Sequence, residues 1–221
     1  MSDPTTGSVW TIVVAAGSGS RFGAPKQFLD LGGVRVVDRS IRTAARHSDG
    51  VVVVTPSEPV EGARAVSAPD GVAFHSVPGA DTRAGSVRRG LSAVPDDAAV
   101  ILVHDAARPL ASDAVYERVI AAVRDGADAV TPAVAIADTL RRRSGGVVDR
   151  DDVVAVQTPQ GFAAGALRRA HESGEEATDD VTVVENHGGT VVVVDGDRRN
   201  LKLTTPLDMD VASLLLGGDG A

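Results

Sequence analysis

Trp10-Thr11-Ile12-Val13-Val14-Ala15-Ala16-Gly17-Ser18-Gly19-Ser20-Arg21-Phe22-Gly23-Ala24-Pro25-Lys26-Gln27 carries an apolar run into a loop with three glycines and two cations. The β-branched residues favour extended backbone, so Trp10 to Ala15 reads as a strand. Glycines at the carboxyl end of a parallel strand let backbone N–H groups approach a polyphosphate, and Arg21 and Lys26 add charge that the backbone lacks. The plainer alternative is a tight strand-to-helix turn with surface cations. Two cations bracketing the glycines favour anion binding. The loop lacks Gly-Lys-Ser/Thr, which excludes a P-loop, and its G-x-G-x-x-x-G spacing departs from the dinucleotide fingerprint. The second strand also ends in Thr55-Pro56, without the acidic residue that holds the ribose of NAD.

Outward from this stretch, apolar runs of strand length recur at Val51–Val54, Val72–Phe74, Val100–Val103, Ala129–Val134, Val153–Val156 and Thr190–Val194. Most are continuous rather than alternating, which predicts strands covered on both faces. Helical patterns fall between them at Val37–Arg46, Ser86–Ala93, Ala114–Arg124 and Phe162–His171. Strand and helix alternate, so the expectation is one α/β domain with a mostly parallel sheet. Thr178-Asp179-Asp180 is a start signal for a helix to Glu185, and Thr205-Pro206 opens a last helix to Leu216. The segment 137–152 breaks the rhythm. It is polar, with Ser144-Gly145-Gly146 as a turn, and predicts a projecting β-hairpin arm that either packs on its own domain or, the favoured reading, clasps a second subunit.

Composition narrows the function. A net charge of −8 argues against sequence-independent binding to nucleic acid or anionic membrane. With no cysteine, disulfides, zinc–thiolate sites and thiol nucleophiles are excluded. The five histidines show no paired ligand spacing, so His104 reads as structural and the metal ligands stay unknown. Met1–Ser8 lacks a basic or apolar leader, and no apolar run approaches the roughly 20 residues that span a bilayer. A cytoplasmic protein is expected.

The loop resembles the G-x-G-x-R…P-K signature of sugar-nucleotide pyrophosphorylases and related nucleotidyltransferases. Further motifs follow in order: Pro25-Lys26-Gln27-Phe28-Leu29, Asp81-Thr82-Arg83-Ala84-Gly85-Ser86-Val87, Val103-His104-Asp105-Ala106-Ala107-Arg108-Pro109, Asp138-Thr139, Gln157-Thr158-Pro159-Gln160 and Asn200-Leu201-Lys202-Leu203-Thr204-Thr205-Pro206. From about Thr11 to Asp208 the chain resembles the 2-C-methyl-D-erythritol 4-phosphate cytidylyltransferases. The resemblance implies a three-layer α/β/α, Rossmann-like nucleotidyltransferase fold acting as a homodimer. The implied reaction moves CMP from CTP, with Mg²⁺, onto a sugar-alcohol phosphate in the mevalonate-independent isoprenoid pathway. A ribitol 5-phosphate enzyme and a non-catalytic nucleotide sensor on the same fold are the alternatives.

The resemblance also assigns roles. It gives Arg21, Lys26 and Lys202 to catalysis. Ala15, Ala16, Gly17, Ser18, Gly19, Gly79, Asp81, Arg83 and Ser86 go to CTP, and Asp105, Ala106, Arg108, Thr139 and Lys202 to the acceptor. From position alone, Asp105 and Arg108 follow a buried strand at the edge where open α/β sheets bind ligands, or else form a pair that staples the loop. Ser86 reads equally as a helix N-cap. One departure stands out: relatives carry an arginine shortly after Thr-Pro-Gln, where this chain reads Gly161-Phe162-Ala163-Ala164-Gly165. Arg168, Arg169 or an arm residue among Arg141 to Arg143 is expected to replace it.

Overall fold

The computed structural model describes residues 6–17, 22, 25–58 and 65–218. Its centre is an eight-stranded sheet. Four strands, β1 (Val9–Val14), β2 (Gly50–Thr55), β3 (Ala73–Pro78) and β4 (Val100–Asp105), pair in parallel in the order β3-β2-β1-β4. Beyond β4 the sheet continues through β5 (Ala129–Ala135), β6 (Val154–Val156), β7 (Gln160–Ala163) and β8 (Val191–Asp195). β7 lies antiparallel between β4 and β5, β6 pairs with the far end of β5, and β8 closes the edge parallel to β5. This is the mostly parallel sheet that the alternation predicts.

The valine runs explain the layers. In β2, Val51 and Val53 pack in one cluster with Val37 and Ile41 of α1 (Val36–Arg46). Val52 and Val54 pack in another, with Val87 and Leu91 of α2 (Arg83–Leu91). Successive side chains point to opposite faces, so a strand covered twice must be apolar at every position. α3 (Asp113–Arg124) joins α1 on its face through Tyr116 and Val119. α4 (Ala164–Glu172) and α5 (Asp180–Asn186) join α2 through Leu167 and Val183. α6 (Pro206–Gly217) begins with a capping box between Thr205 and Asp208, as its start signal predicts, and packs Ala212 near Leu31 and Leu203.

Two sequence expectations need correcting. The helix expected from Phe162 starts at Ala164, because Gln160–Ala163 forms β7 and buries Phe162 in the sheet. β6 and β8 are not covered on both faces: Val154 and Val156 are 46% and 44% exposed, and Val192 and Val193 40% and 54%. Within the Thr178-Asp179-Asp180 start signal, Asp179 is the cap of α5 and accepts from Thr182 N–H. Within 137–152, Leu140–Arg141 pairs antiparallel with Val147–Val148, so the hairpin is present.

α2 sits close to the sheet because residue 90 has no side chain. A Cβ there would meet Ile12 Cγ2 at 2.6 Å and Val54 Cγ2 at 3.2 Å. Gly90→Ala should therefore lose about 1–3 kcal/mol to overpacking, more than the roughly 1 kcal/mol that alanine gains in helix propensity. A lower denaturation midpoint is expected; an unchanged or higher one would show that α2 has room to lift from β1.

Candidate active site

The carboxyl ends of β1, β3 and β4 open into one cavity of about 520 Å³, lined among others by Ala15, Gly17, Lys26, Asp81, Asp105 and Lys202. β1 runs out at Val14 and the chain turns through Ala15–Gly17, with Ala15 N–H bonded to Val54 O at 2.8 Å. Gln27, 4% exposed, donates from Nε2 to both Ala15 O and Gly17 O at 2.9 Å. One amide thus holds the start of the glycine loop against the turn Lys26–Phe28. Ser18, Gly19 and Arg21 lie outside the described residues.

A second loop follows β3. Gly79 N–H donates to Thr55 O at 2.7 Å, and a Cβ at Gly79 would run into the Cβ of Ala16 and come within 3.1 Å of Ser86 Oγ. Only glycine allows the two loops to lie this close. Thr82 caps α2 by accepting from Gly85 N–H, so Ser86 is not the N-cap. Its buried hydroxyl instead accepts from Ala80 N–H at 3.0 Å and holds the loop in shape. Ala16, Asp81, Arg83, Ser86 and Ala106 all line the same cavity.

Charge gathers at Asp105, at the end of β4. Its Oδ2 accepts from Lys202 Nζ at 2.6 Å, and its Oδ1 lies 3.4 Å from Nε and Nη2 of Arg83. Burial alone would raise the Asp105 carboxyl, but the charges of Arg83, Lys202 and Arg108 outweigh it and hold the group well below the usual carboxylate range. Arg83 is also bonded to the buried Asp180 at 2.6 Å. Burial works against its charge, but the two carboxylates raise its affinity for the proton above the ordinary arginine value.

Arg108 does not line the cavity. It donates to Asn200 O at 2.8 Å and to Val156 O at 3.3 Å, and burial lowers its proton affinity. Its donors thus go to backbone carbonyls of other segments and not to Asp105, so the two do not form the stapling pair. Thr139 is exposed at the root of the hairpin and lies outside the lining. Arg168 does not line this cavity; it donates to Leu91 O, Val94 O and Pro95 O at and just beyond the carboxyl end of α2.

Several residues of the quoted motifs contribute through backbone mooring, a role that the motifs do not reveal. Gln157 donates from Nε2 to Asp197 O at 2.8 Å, and Asn200 donates from Nδ2 to Thr158 O at 2.9 Å. Leu203 N–H then donates to Ala107 O at 2.8 Å, so the segment bearing Lys202 is moored beside the end of β4. His104 is structural, as expected. Its Nε2 faces Arg108 O at 3.2 Å, and its Nδ1 accepts from the Thr158 hydroxyl at 3.2 Å. No three His, Asp or Glu side chains cluster as a metal site among the described residues.

Residues 9–218 match the family model described as 2-C-methyl-D-erythritol 4-phosphate cytidylyltransferase (IspD). A cytidylyltransferase of that name from Nocardia farcinica is 44% identical, over 95% of this chain and 94% of its own. A bifunctional IspD/IspF enzyme from Nitratidesulfovibrio vulgaris is 42% identical over 90% of this chain, which spans only 56% of that relative's length. The crystal structure of the Thermus thermophilus cytidylyltransferase superposes with a TM-score of 0.77 at 33% identity, covering 93% of this chain and 97% of the other.

Burial pulls His104 down from 6.5 to about 4, so the folded state keeps it neutral. Between those values the unfolded chain binds the extra proton, so stability should fall as pH drops from 6.5 towards 4. His104→Asn should flatten this part of a stability–pH curve, while the fall below 4, set by carboxylates such as Asp105, should remain. An unchanged slope in the variant would assign the dependence to another group.

Proposed function

Because the chain belongs to the 2-C-methyl-D-erythritol 4-phosphate cytidylyltransferase family, we propose that it transfers CMP from CTP to 2-C-methyl-D-erythritol 4-phosphate and releases pyrophosphate. The observation that carries this reading is the meeting, in one cavity, of the glycine-loop residues with Lys26, Asp105 and Lys202. An acceptor phosphate oxygen attacks the α-phosphorus of CTP, and the bond to the β-phosphate breaks. Charge builds on the non-bridging oxygens and the leaving group, so fixed cations are the main requirement and no covalent intermediate is needed.

Ala15, Ala16 and Gly17 present backbone to the triphosphate, with Ser18 and Gly19 continuing the loop. Lys26 lies at its far end, and by family resemblance Arg21 acts with it on the α-phosphate. Gly79, Asp81, Arg83 and Ser86 form the side that receives the cytidine. Asp105 and Ala106 face the acceptor, and Lys202 meets its phosphate once released from Asp105. Among the described residues, Asp81 and Asp105 are the acidic side chains lining the cavity, and Asp105 is already held by two cations. That donor set fits a Mg²⁺ carried in on the triphosphate with phosphate oxygens and water as ligands, where it would neutralise charge on the leaving group.

The chain is read as one catalytic unit in a cytoplasmic homodimer. The hairpin leaves Val147 55% exposed, and Val154 and Val156 of β6 are exposed as well, apolar surface suited to a second subunit. In that arrangement Thr139 and one of Arg141 to Arg143 reach the acceptor in the partner's cavity, and Arg108 acts by holding the segment that carries Lys202.

Pyrophosphate release with Mg²⁺ and CTP should be fast with methylerythritol 4-phosphate and slow with ribitol 5-phosphate. The reverse preference would move the chain to ribitol phosphate chemistry, and no turnover with either would leave a nucleotide sensor. Lys26→Ala should keep the fold and lose about 10² or more in kcat, as removal of a preorganised donor does. A variant within about tenfold of the parent would remove Lys26 from the chemistry.

A further inference from the structure

Behind the cavity wall lies a buried polar chain that the proposed reaction does not use. Gln160 donates from Nε2 to Asp179 Oδ2 at 2.9 Å, while Asp179 Oδ1 caps α5 by accepting from Thr182 N–H at 3.0 Å. With Asp179 fixed from both sides, the next residue turns inward. The Asp180 side chain is 1% exposed; Oδ2 accepts from Arg83 Nη1 at 2.6 Å and Oδ1 faces His171 Nε2 at 3.1 Å. Burial opposes its charge, but His171 and Arg83 prevail and the carboxyl stays below its usual range. An ionised carboxylate only accepts, so Nε2 carries the imidazole proton, leaving His171 Nδ1 buried without a partner.

Two features argue against a purely stabilising purpose. Desolvating an ion pair offsets most of what the pair returns, and a hydrocarbon filling of this space would stabilise as well. The guanidinium is also held unequally, at 2.6 Å on Asp180 and at 3.4 Å on Asp105. It is anchored behind and loose in front. A guanidinium free of Asp180 would close on Asp105, the opposite charge nearest to it, and occupy the carboxylate that the acceptor needs.

We propose that Asp180, oriented by His171, is the positioning residue for Arg83, anchoring one edge of the guanidinium so that Nε and Nη2 stay directed at Asp105 and at the substrate anion entering beside it. The identity of that anion rests on the cytidylyl-transfer reading; the anchoring does not. The Thr178-Asp179-Asp180 start signal thus has two functions, with one aspartate capping the helix and its neighbour setting a cavity cation.

The test is a double-mutant cycle on the full chain. Asp180→Asn removes the charge at constant volume and should lower kcat/KM at least about tenfold; in an Arg83→Gln background the same change should cost less than about twofold. Equal losses in both backgrounds would make Asp180 a structural residue and overturn the proposal. Should Asp180→Asn fold poorly, His171 gives a second route. His171→Gln, whose amide can still donate to Asp180, should stay within about threefold of the parent, while His171→Leu should lose about tenfold or more; equal effects of the two would count against the proposal. The third readout is the ¹⁵N signal of Arg83 Nε, assigned by its loss in Arg83→Gln. Its hydrogen should exchange with water more slowly in Asp180→Asn, because the freed guanidinium closes Nε on Asp105, and an unchanged or faster rate would overturn the anchoring. Because this signal needs no turnover, a parent chain inactive on every acceptor would sink the activity reading while the resonance still decided the anchoring.

Discussion

A sheet with apolar helices on both faces can place charged groups only at the ends of its strands, and this constraint organises the molecule. Val51 to Val54 are fully buried, each excluded from water by one helical layer or the other. A carboxylate in the middle of such a strand would lose its solvation without a partner. At the last residue of β4 that restriction lifts, and Asp105 appears there, flanked at once by Lys202 and Arg83. The same burial that stabilises the sheet therefore concentrates opposite charges at one rim, where the dielectric is low enough for each to matter.

What surrounds those charges is mostly backbone held by amide side chains. Gln27 closes the glycine loop, Gln157 and Asn200 moor the segment that carries Lys202, and Gln160 holds Asp179. Neutral amides suit this work because each can donate to a carbonyl without altering the charge balance at the rim. Gly79 adds a steric condition. The phosphate-side loop and the loop before α2 lie in contact through Ala16, so neither can shift without moving the other.

The layers were legible in the sequence because a doubly covered strand must be apolar at every position, and the valine runs have that form. β7 was not, because Gln160-Gly161-Phe162-Ala163 passes straight into α4 and Phe162 fits the helical period that follows. The exposure of β6 and β8 also escaped, since a run of valines reads the same at an edge as at the centre. Among the site residues, motif order brought Lys26, Asp105 and Lys202 together, and the fold places all three on one cavity. Arg168 and Arg108 show the limit of that reasoning: spacing reveals a cation but not whether its donors are spent on carbonyls.

Lys202 and Asp105 are 97 positions apart and meet at 2.6 Å. The last sheet strand ends at Asp195, so during synthesis every strand of the sheet leaves the ribosome before this lysine does. A nascent chain at that stage carries the strands, Asp105 and Arg83, but not yet the lysine. The cavity thus acquires its full charge only after every strand of the sheet has been made, which separates the making of the framework from the completion of its chemistry.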